Sequence, residues 1–220
     1  MRAALAHTDR FLRGSGEFAF EEAASRPAWW LPAMIVGFAP IYGLFMGSFD
    51  LSSPERILMM VYSGVKVPLL LFATTALCLP GFFVLNTIMG LRDDFFEAMQ
   101  AILAGQAGLS IALASLALVT RFWYFSCDSY RAALLFNAGM FTVATVAGQV
   151  IMMRYYRGLI RRHRNHRIML GAWVCLYAFV GIQMAWMLRP FIGNPDMRVA
   201  FFREEPFSNA YVVVARLIFG

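Results

Sequence analysis

Residues 154–188 have the sequence RYYRGLIRRHRNHRIMLGAWVCLYAFVGIQMAWML, in which six arginines precede 21 residues without a charge. About 20 apolar residues in a helix cross a hydrocarbon core of about 30 Å. The cytoplasmic ends of membrane helices carry an excess of arginine and lysine. The stretch therefore predicts a membrane-spanning helix whose cytoplasmic end is marked by the arginines.

The composition of the whole chain favours a membrane protein over a soluble one. Hydrophobic residues make up 60% of the 220 residues and charged residues make up 15%. Soluble domains contain about 45–50% and about 25%, respectively. The net charge of +6 is carried almost entirely by arginine. A basic, apolar protein of this kind favours anionic lipids as partners, and no motif that reads nucleic acid is present in the sequence.

Four further apolar runs precede residues 168–188. The five predicted spans cover residues 28–49, 57–90, 98–120, 132–153 and 168–188. The second run contains Pro68 and Pro80 and is too long for one straight span, so we expect one tilted helix that is kinked or broken near a proline. The predicted fold class is all-α: a polytopic membrane helix bundle with five transmembrane helices.

Two amphipathic segments flank the predicted transmembrane domain at residues 28–189. Residues 1–27 mix arginines with isolated aromatic residues and predict an N-terminal segment that lies in the membrane interface. Residues 190–220 predict an extramembrane cap over the helix ends, followed by an interfacial helix at 208–219 that is too short to cross the hydrocarbon core. An odd number of spans places the two termini on opposite sides.

The distribution of arginines predicts the orientation of the chain. With the N-terminus inside, the cytoplasmic segments contain eleven arginines and the segments on the other side contain seven. Positive charge accumulates on the cytoplasmic side of membrane proteins. We therefore expect a cytoplasmic N-terminus.

Small residues at four-residue spacing predict where the helices approach one another. Gly43 and Gly47 in the first span either form a contact face or are a pairing that is common by chance in apolar helices. Ala104, Gly108 and Ala112 repeat every four residues in the third span. This second pattern predicts a helix-packing face.

Lys66 is the one ionisable residue inside the predicted spans. A charged residue within a membrane suggests a functional role, for example in a transport pathway. A lysine this close to the start of its span can also extend its ammonium group to the nearer interface. Both interpretations are open at this point.

The arginine cluster is the candidate surface for anionic lipids or an acidic partner, although it also serves to determine topology. Asp93, Asp94 and Glu97 lie on the same predicted face, so we expect ion pairs between the two connections. The candidate residues for lipid or partner binding are Arg154, Arg157, Arg161, Arg162, Arg164, Arg167 and Arg189.

Residues typical of catalysis or cofactor binding do not occur in a recognisable pattern. His7, His163 and His166 lie outside the predicted spans, so no axial haem ligand is expected within the membrane. Arginine neighbours also disfavour a metal ion at His163 and His166. The sequence contains no nucleophile elbow, no phosphate-binding loop and no paired carboxylates at membrane depth. We expect a protein that is not an enzyme and that binds no cofactor and no metal.

Several passages resemble the Yip1-like family of small membrane proteins. The resemblance is carried by residues 42–47 and by 80–86, PGFFVLN. Residues 177–183, 189–193 and 201–203 are more similar to uncharacterised bacterial inner-membrane proteins of that general type. The resemblance implies five helices, a cytoplasmic N-terminus, a bacterial inner-membrane location and no enzymatic activity. It brings no catalytic residue with it.

The sequence supports two main hypotheses for function. The first is a non-enzymatic integral membrane subunit, a scaffold or accessory protein that packs against other membrane proteins or further copies of itself. The alternative is a small oligomeric transporter or channel in which Lys66 and buried amides line a path. A membrane enzyme acting on lipids is a third hypothesis, for which the sequence offers no evident nucleophile or base.

Overall fold

A computed structural model describes residues 29–51, 53–127, 129–193 and 198–202. Within these ranges the chain forms five α-helices and no strand, which confirms the all-α fold class. The helices are α1 (Trp30–Gly47), α2 (Pro54–Ile88), α3 (Phe95–Ser126), α4 (Tyr130–Arg162) and α5 (Asn165–Met187). The interfacial segments predicted at residues 1–27 and 208–219 lie outside the described residues.

All five helices are long and apolar enough to cross a membrane. The shortest, α1, has 18 residues and α2 has 35. At 1.5 Å per residue these helices are about 27 Å and about 52 Å long, compared with a hydrocarbon core of about 30 Å. The pattern indicates a multi-pass integral membrane protein in which the longer helices tilt or extend beyond the core.

The long second apolar run forms one continuous helix, as predicted, and contains no break. Ser53 is the N-cap residue of α2 and Pro54 occupies its first turn, where the fixed φ and missing N–H of proline fit well. Pro68 and Pro80 lie inside the helix without ending it. Prolines are tolerated in membrane helices because neighbouring groups satisfy the freed carbonyl oxygens.

The end of α3 differs from the prediction. The predicted spans leave residues 121–131 as a loop, but the connection is only residues 127–129, because α3 continues to Ser126. Arg121 donates a hydrogen bond to the carbonyl oxygen of Ser48 at 2.9 Å, and Tyr124 donates one to that of Met46 at 3.1 Å. These bonds fix the last turns of α3 against the end of α1.

The predicted basic loop at residues 154–167 is also mostly helical, so its expected length was wrong. α4 continues to Arg162 and α5 begins at Asn165, which leaves His163 and Arg164 as the connection. α4 extends past the apolar run because its residues Tyr156 and Leu159 are buried in the hydrophobic core. Four of the six arginines therefore lie on α4, and the sixth lies in the first turn of α5.

The helices pack in the order α4, α3, α1, α2, α5. α3 lies between α4 and α1, α1 also packs against α2, and α5 is attached mainly to α2. Burial follows this order, because 15 of the 32 residues of α3 are buried. Only three of the 23 residues of α5 are buried. α5 is thus the less buried of the two edge helices, the other being α4.

Gly43 and Gly47 lie where α1 approaches α2. A Cβ atom on Gly43 would overlap the carbonyl oxygen of Ser63, and one on Gly47 would lie 2.7 Å from the carbonyl oxygen of Met59. A Cβ atom at either position would be closer to the backbone of α2 than real Cβ atoms come. The two backbones therefore pack this closely only because glycine occupies both positions. The pair forms a contact face of the kind expected for membrane helices.

The contact between α3 and α4 also depends on glycine. Ala104 and Gly108 are buried and Ala112 is half-buried. A Cβ atom on Gly108 would overlap the side chain of Ile151 on α4. The backbones approach most closely at Gly105 and Gly148, since a Cβ atom on Gly148 would lie 2.8 Å from the carbonyl oxygen of Gly105. Gly105 is adjacent to the predicted stripe and was not part of it.

Replacing Gly43 by alanine is expected to destabilise the bundle, because the added methyl group would push α1 away from α2. Overpacking of this kind costs about 1–3 kcal/mol. The matched control is Gly37→Ala on the same helix, where a Cβ atom would meet nothing within 4 Å. Thermal unfolding in detergent, followed by circular dichroism, compares the two. Equal melting temperatures would contradict the close contact.

Candidate functional site

A chain of hydrogen bonds joins three helices near the end of the bundle where α1 and α3 finish and α4 begins. Tyr42 donates its hydroxyl to Oδ1 of Asn137 at 2.7 Å. The amide nitrogen of Asn137 donates to the hydroxyl of Tyr124 at 2.7 Å and to the carbonyl oxygen of Ala133 at 2.8 Å. Tyr124 donates in turn to Met46. The chain joins α1, α3 and α4 and uses both polar atoms of the Asn137 amide.

A second amide links the edge helix to the centre. Tyr177 on α5 donates its hydroxyl to Oε1 of Gln106 on α3 at 3.0 Å. Gln106 and Asn137 thus join helices, whereas the amide nitrogen of Asn86 donates to Phe82 of its own helix at 2.9 Å. The tyrosines that pair with Gln106 and Asn137 were not predicted. Their signal in the sequence is a phenol group inside an apolar run, since a buried Tyr hydroxyl usually has a partner, although that of Tyr156 has none among the described residues.

Lys66 is enclosed by the segment that follows α5. It has 0% exposed surface, and its Nζ donates a hydrogen bond to the carbonyl oxygen of Pro190 at 2.6 Å. Nζ also lies 4.7 Å from the ring centre of Phe201 and 6.0 Å from that of Phe191. Among the described residues no carboxylate forms an ion pair with it. The ammonium group is therefore held by a carbonyl oxygen and aromatic faces rather than extended to solvent.

The residues after Arg189 pack along the first turns of α2. The carbonyl oxygen of Phe191 accepts a hydrogen bond from Ser63, and that of Ile192 accepts one from Tyr130 at 3.4 Å. Ile192 is buried in the core. This part of the predicted cap thus lies beside α2 as well as near the helix ends.

Arg189 lies at the end of α5 remote from the other candidate arginines. Its guanidinium carbon lies 3.1 Å from the ring centre of Trp186, and its Nε donates to the carbonyl oxygen of the same residue at 3.3 Å. Arg189 is half-buried. It is therefore fixed within the protein and does not join the arginine cluster.

The opposite end of the bundle carries a group of charged side chains. Arg162 forms ion pairs with Glu97 at 2.6 Å and with Asp94 at 3.6 Å. Nε2 of His166 lies 2.9 Å from Oδ2 of Asp94, and the imidazole is fully buried. The expected ion pairing between the two connections is present. The burial of His166 was not expected and follows from the early start of α5.

The arginine cluster is divided by these contacts. Arg162 is paired with acidic residues, and Arg154 and Arg161 take part in other interactions. The side chains that are exposed and make no hydrogen bond or ion pair with the described residues are Arg157, Arg164 and Arg167. Within the ranges that the structure describes, no three His, Cys, Asp or Glu side chains are grouped so that they could hold a metal ion.

Comparison with known proteins finds no relative of this chain. No protein-family model matches it, and neither a curated protein nor a solved structure does. The resemblance to the Yip1-like family therefore stays a prediction. The functional interpretation depends on the helices and contacts described above.

The Asn137→Leu variant is expected to be less stable than the natural protein, because the hydroxyls of Tyr42 and Tyr124 lose their amide partner. Interhelical hydrogen bonds in membranes contribute about 0.6–2 kcal/mol each, so we expect a loss of about 1–3 kcal/mol. The control is Thr142→Val, whose exposed hydroxyl bonds only to Ala138 of its own helix. Unfolding in detergent measures the stability of both variants. An Asn137→Leu variant as stable as the natural protein would show that the network does not hold the helices together.

Proposed function

We propose that the chain is a non-enzymatic integral membrane subunit that packs against a partner membrane protein through α5. The observation that carries this proposal is the position of α5 at the edge of the bundle. Only His166, Met169 and Trp173 are buried on this helix of 23 residues. The residues of α5 that are exposed, and so available to lipid or to another helix, are Arg167, Ile168, Gly171, Cys175, Ala178, Phe179 and Ile182.

The exposed face of α5 favours a helix over lipid alone. Gly171, Cys175 and Ala178 are exposed on it and follow one another by four and three residues, so they lie on one side of the helix. Small residues at such spacing let the backbone of a neighbouring helix approach closely. A face in contact only with lipid tails gains nothing from small side chains.

The use of polar groups in the interior supports a structural role. The amides of Asn137 and Gln106 are engaged in bonds between helices. The charged pair of Arg162 and Glu97 likewise joins the end of α4 to the start of α3. These groups act to hold the bundle together, and the proposal agrees with the Yip1-like resemblance, which implies no enzymatic activity.

We also place the protein in a bacterial inner membrane with its N-terminus in the cytoplasm. The support for this orientation is the concentration of arginines at the junction of α4 and α5. The bacterial location is supported only by the resemblance described from the sequence.

The Gly171→Leu variant tests the partner surface. A Cβ atom at Gly171 meets nothing within 4 Å, so the larger side chain leaves the bundle intact. It should block a partner helix. The amount of each protein that co-purifies with the natural chain in mild detergent should therefore fall at least tenfold. Gly139→Leu on α4 is the matched control, because Gly139 is equally open. Quantitative mass spectrometry of the co-purified proteins gives the measurement.

Two outcomes would contradict this proposal. Recovery of the natural chain as a monomer without other proteins would remove the basis for a subunit. Retention of every partner by the Gly171→Leu protein, together with loss in the Gly139→Leu protein, would place the contact on α4 rather than α5.

A small oligomeric transporter or channel is the second candidate. The observation that favours it is the burial of Lys66 inside α2 without a carboxylate partner among the described residues. An isolated charge within a membrane is costly and is often retained for a substrate or ion. In such a mechanism residues 190–192 would move away from the ammonium group to open a path.

Reconstitution into liposomes separates the two candidates. If the chain is a structural subunit, the flux of small anions and cations should equal that of protein-free liposomes for both the natural protein and Lys66→Met. Methionine has a similar length and no charge, so it removes only the ammonium group. A flux that the natural protein supports and Lys66→Met abolishes would favour the transporter.

A further inference from the structure

An exposed apolar stripe on α4 leads directly to an arginine. Val143, Val146, Val150 and Met153 are exposed, and Arg157 is the next exposed residue at the same spacing. Steps of three, four, three and four residues keep all five side chains on one side of the helix. The stripe and the guanidinium group therefore form one continuous surface.

Two further arginines lie at the same end of the bundle. Arg164 is in the connection between α4 and α5, and Arg167 is in the first turn of α5. Both are exposed and make no hydrogen bond or ion pair with the described residues. Glu97 is engaged by Arg162. Three positive charges are thus gathered at the end of an apolar surface.

We propose that this surface, formed by the α4 stripe and by Arg157, Arg164 and Arg167, binds an anionic phospholipid. The arginines contact the phosphate of the headgroup, and an acyl chain lies along the valines and Met153. The inference depends on the membrane placement of α4, which it shares with the proposed function, but it does not require a protein partner at α5.

The dimensions of the surface fit one leaflet. Val146 precedes Arg157 by eleven residues, which corresponds to about 16 Å along the helix axis. Half of a hydrocarbon core of about 30 Å is about 15 Å. When Arg157 lies at the headgroup level, the stripe from Met153 to Val146 spans the acyl region of that leaflet.

The combination of charge and apolar surface favours a lipid over other anions. An acidic protein segment in water would contact the arginines and leave the stripe uncovered. A free phosphate ion would gain nothing from the stripe. A lipid with one net negative charge satisfies both parts, and arginine can contact phosphate oxygens with two parallel hydrogen bonds.

The test is native mass spectrometry of the purified full chain in detergent with added dioleoylphosphatidylglycerol or dioleoylphosphatidylcholine. We expect tighter binding of the phosphatidylglycerol. In the Arg157→Gln/Arg167→Gln variant its affinity should fall about fivefold for each arginine, or on the order of 25-fold in total. The control is Arg131→Gln/Arg198→Gln, which removes the same charge from two exposed arginines elsewhere. The affinity of this control variant for phosphatidylglycerol should stay within twofold of that of the natural protein.

A further variant and two competitors complete the experiment. Arg157→Lys/Arg167→Lys keeps both charges and should retain most of the affinity. Equal binding of the two lipids, or an equal loss in the control variant, would overturn the proposal. Displacement of phosphatidylglycerol by inorganic phosphate at equal concentration would show that the phosphate alone is recognised. Tighter binding of polyglutamate, lost in the same variant, would identify an acidic protein as the ligand instead.

The lipid measurement uses the chain after its removal from any partner. Failure of lipid binding therefore leaves the proposed subunit role untouched. Conversely, the absence of co-purifying proteins leaves the lipid measurement valid. The two proposals therefore fail through different experiments.

Discussion

The fold depends on hydrogen bonds that polar side chains form between helices inside the membrane. Hydrocarbon offers no hydrogen bonds, so an unpaired hydroxyl or amide is costly there. Asn137 provides such bonds for three helices at once, because its amide joins the hydroxyls of Tyr42 and Tyr124. These short bonds fix both the rotation and the depth of α1, α3 and α4. Apolar packing alone would permit the helices to slide and rotate.

Close approach of the backbones determines which helices have neighbours on several sides. Gly43 brings α1 against α2, and the pair of Gly105 and Gly148 brings α3 against α4. No comparably close glycine contact attaches α5, where Gly181 lies 3.5 Å from Thr74 by the same measure. The difference explains why α5 remains an edge helix with an uncovered face. The proposed partner contact on α5 follows from this uneven packing.

The sequence predicted the number and type of the helices because each span is a long apolar run with at most one charge, Lys66. Helix ends were less predictable, since Arg121 and Arg162 lie on helices that continue beyond the apolar runs. Their partners are distant in sequence: Arg121 donates to Ser48, and Arg162 pairs with Glu97. The candidate arginines were visible in the sequence, but their division into paired and exposed members was not. The enclosure of Lys66 depends on Pro190, 124 residues away, and no local pattern indicates it.

The two ends of the bundle stabilise cations in different ways, and together these contacts explain the attachment of α5. At one end carboxylates pair with cationic groups, and Asp94 also holds His166 in the first turn of α5. At the other end Lys66 is held by the Pro190 carbonyl oxygen just after α5, with an aromatic ring 4.7 Å away that attracts the ammonium group. Between them Tyr177 bonds to Gln106. Two of these contacts lie on the side of α5 that faces the bundle and the third lies just beyond its end, so the helix is fixed along its length without using its outward face. An edge helix held in this way can accept a neighbour without any rearrangement of the bundle.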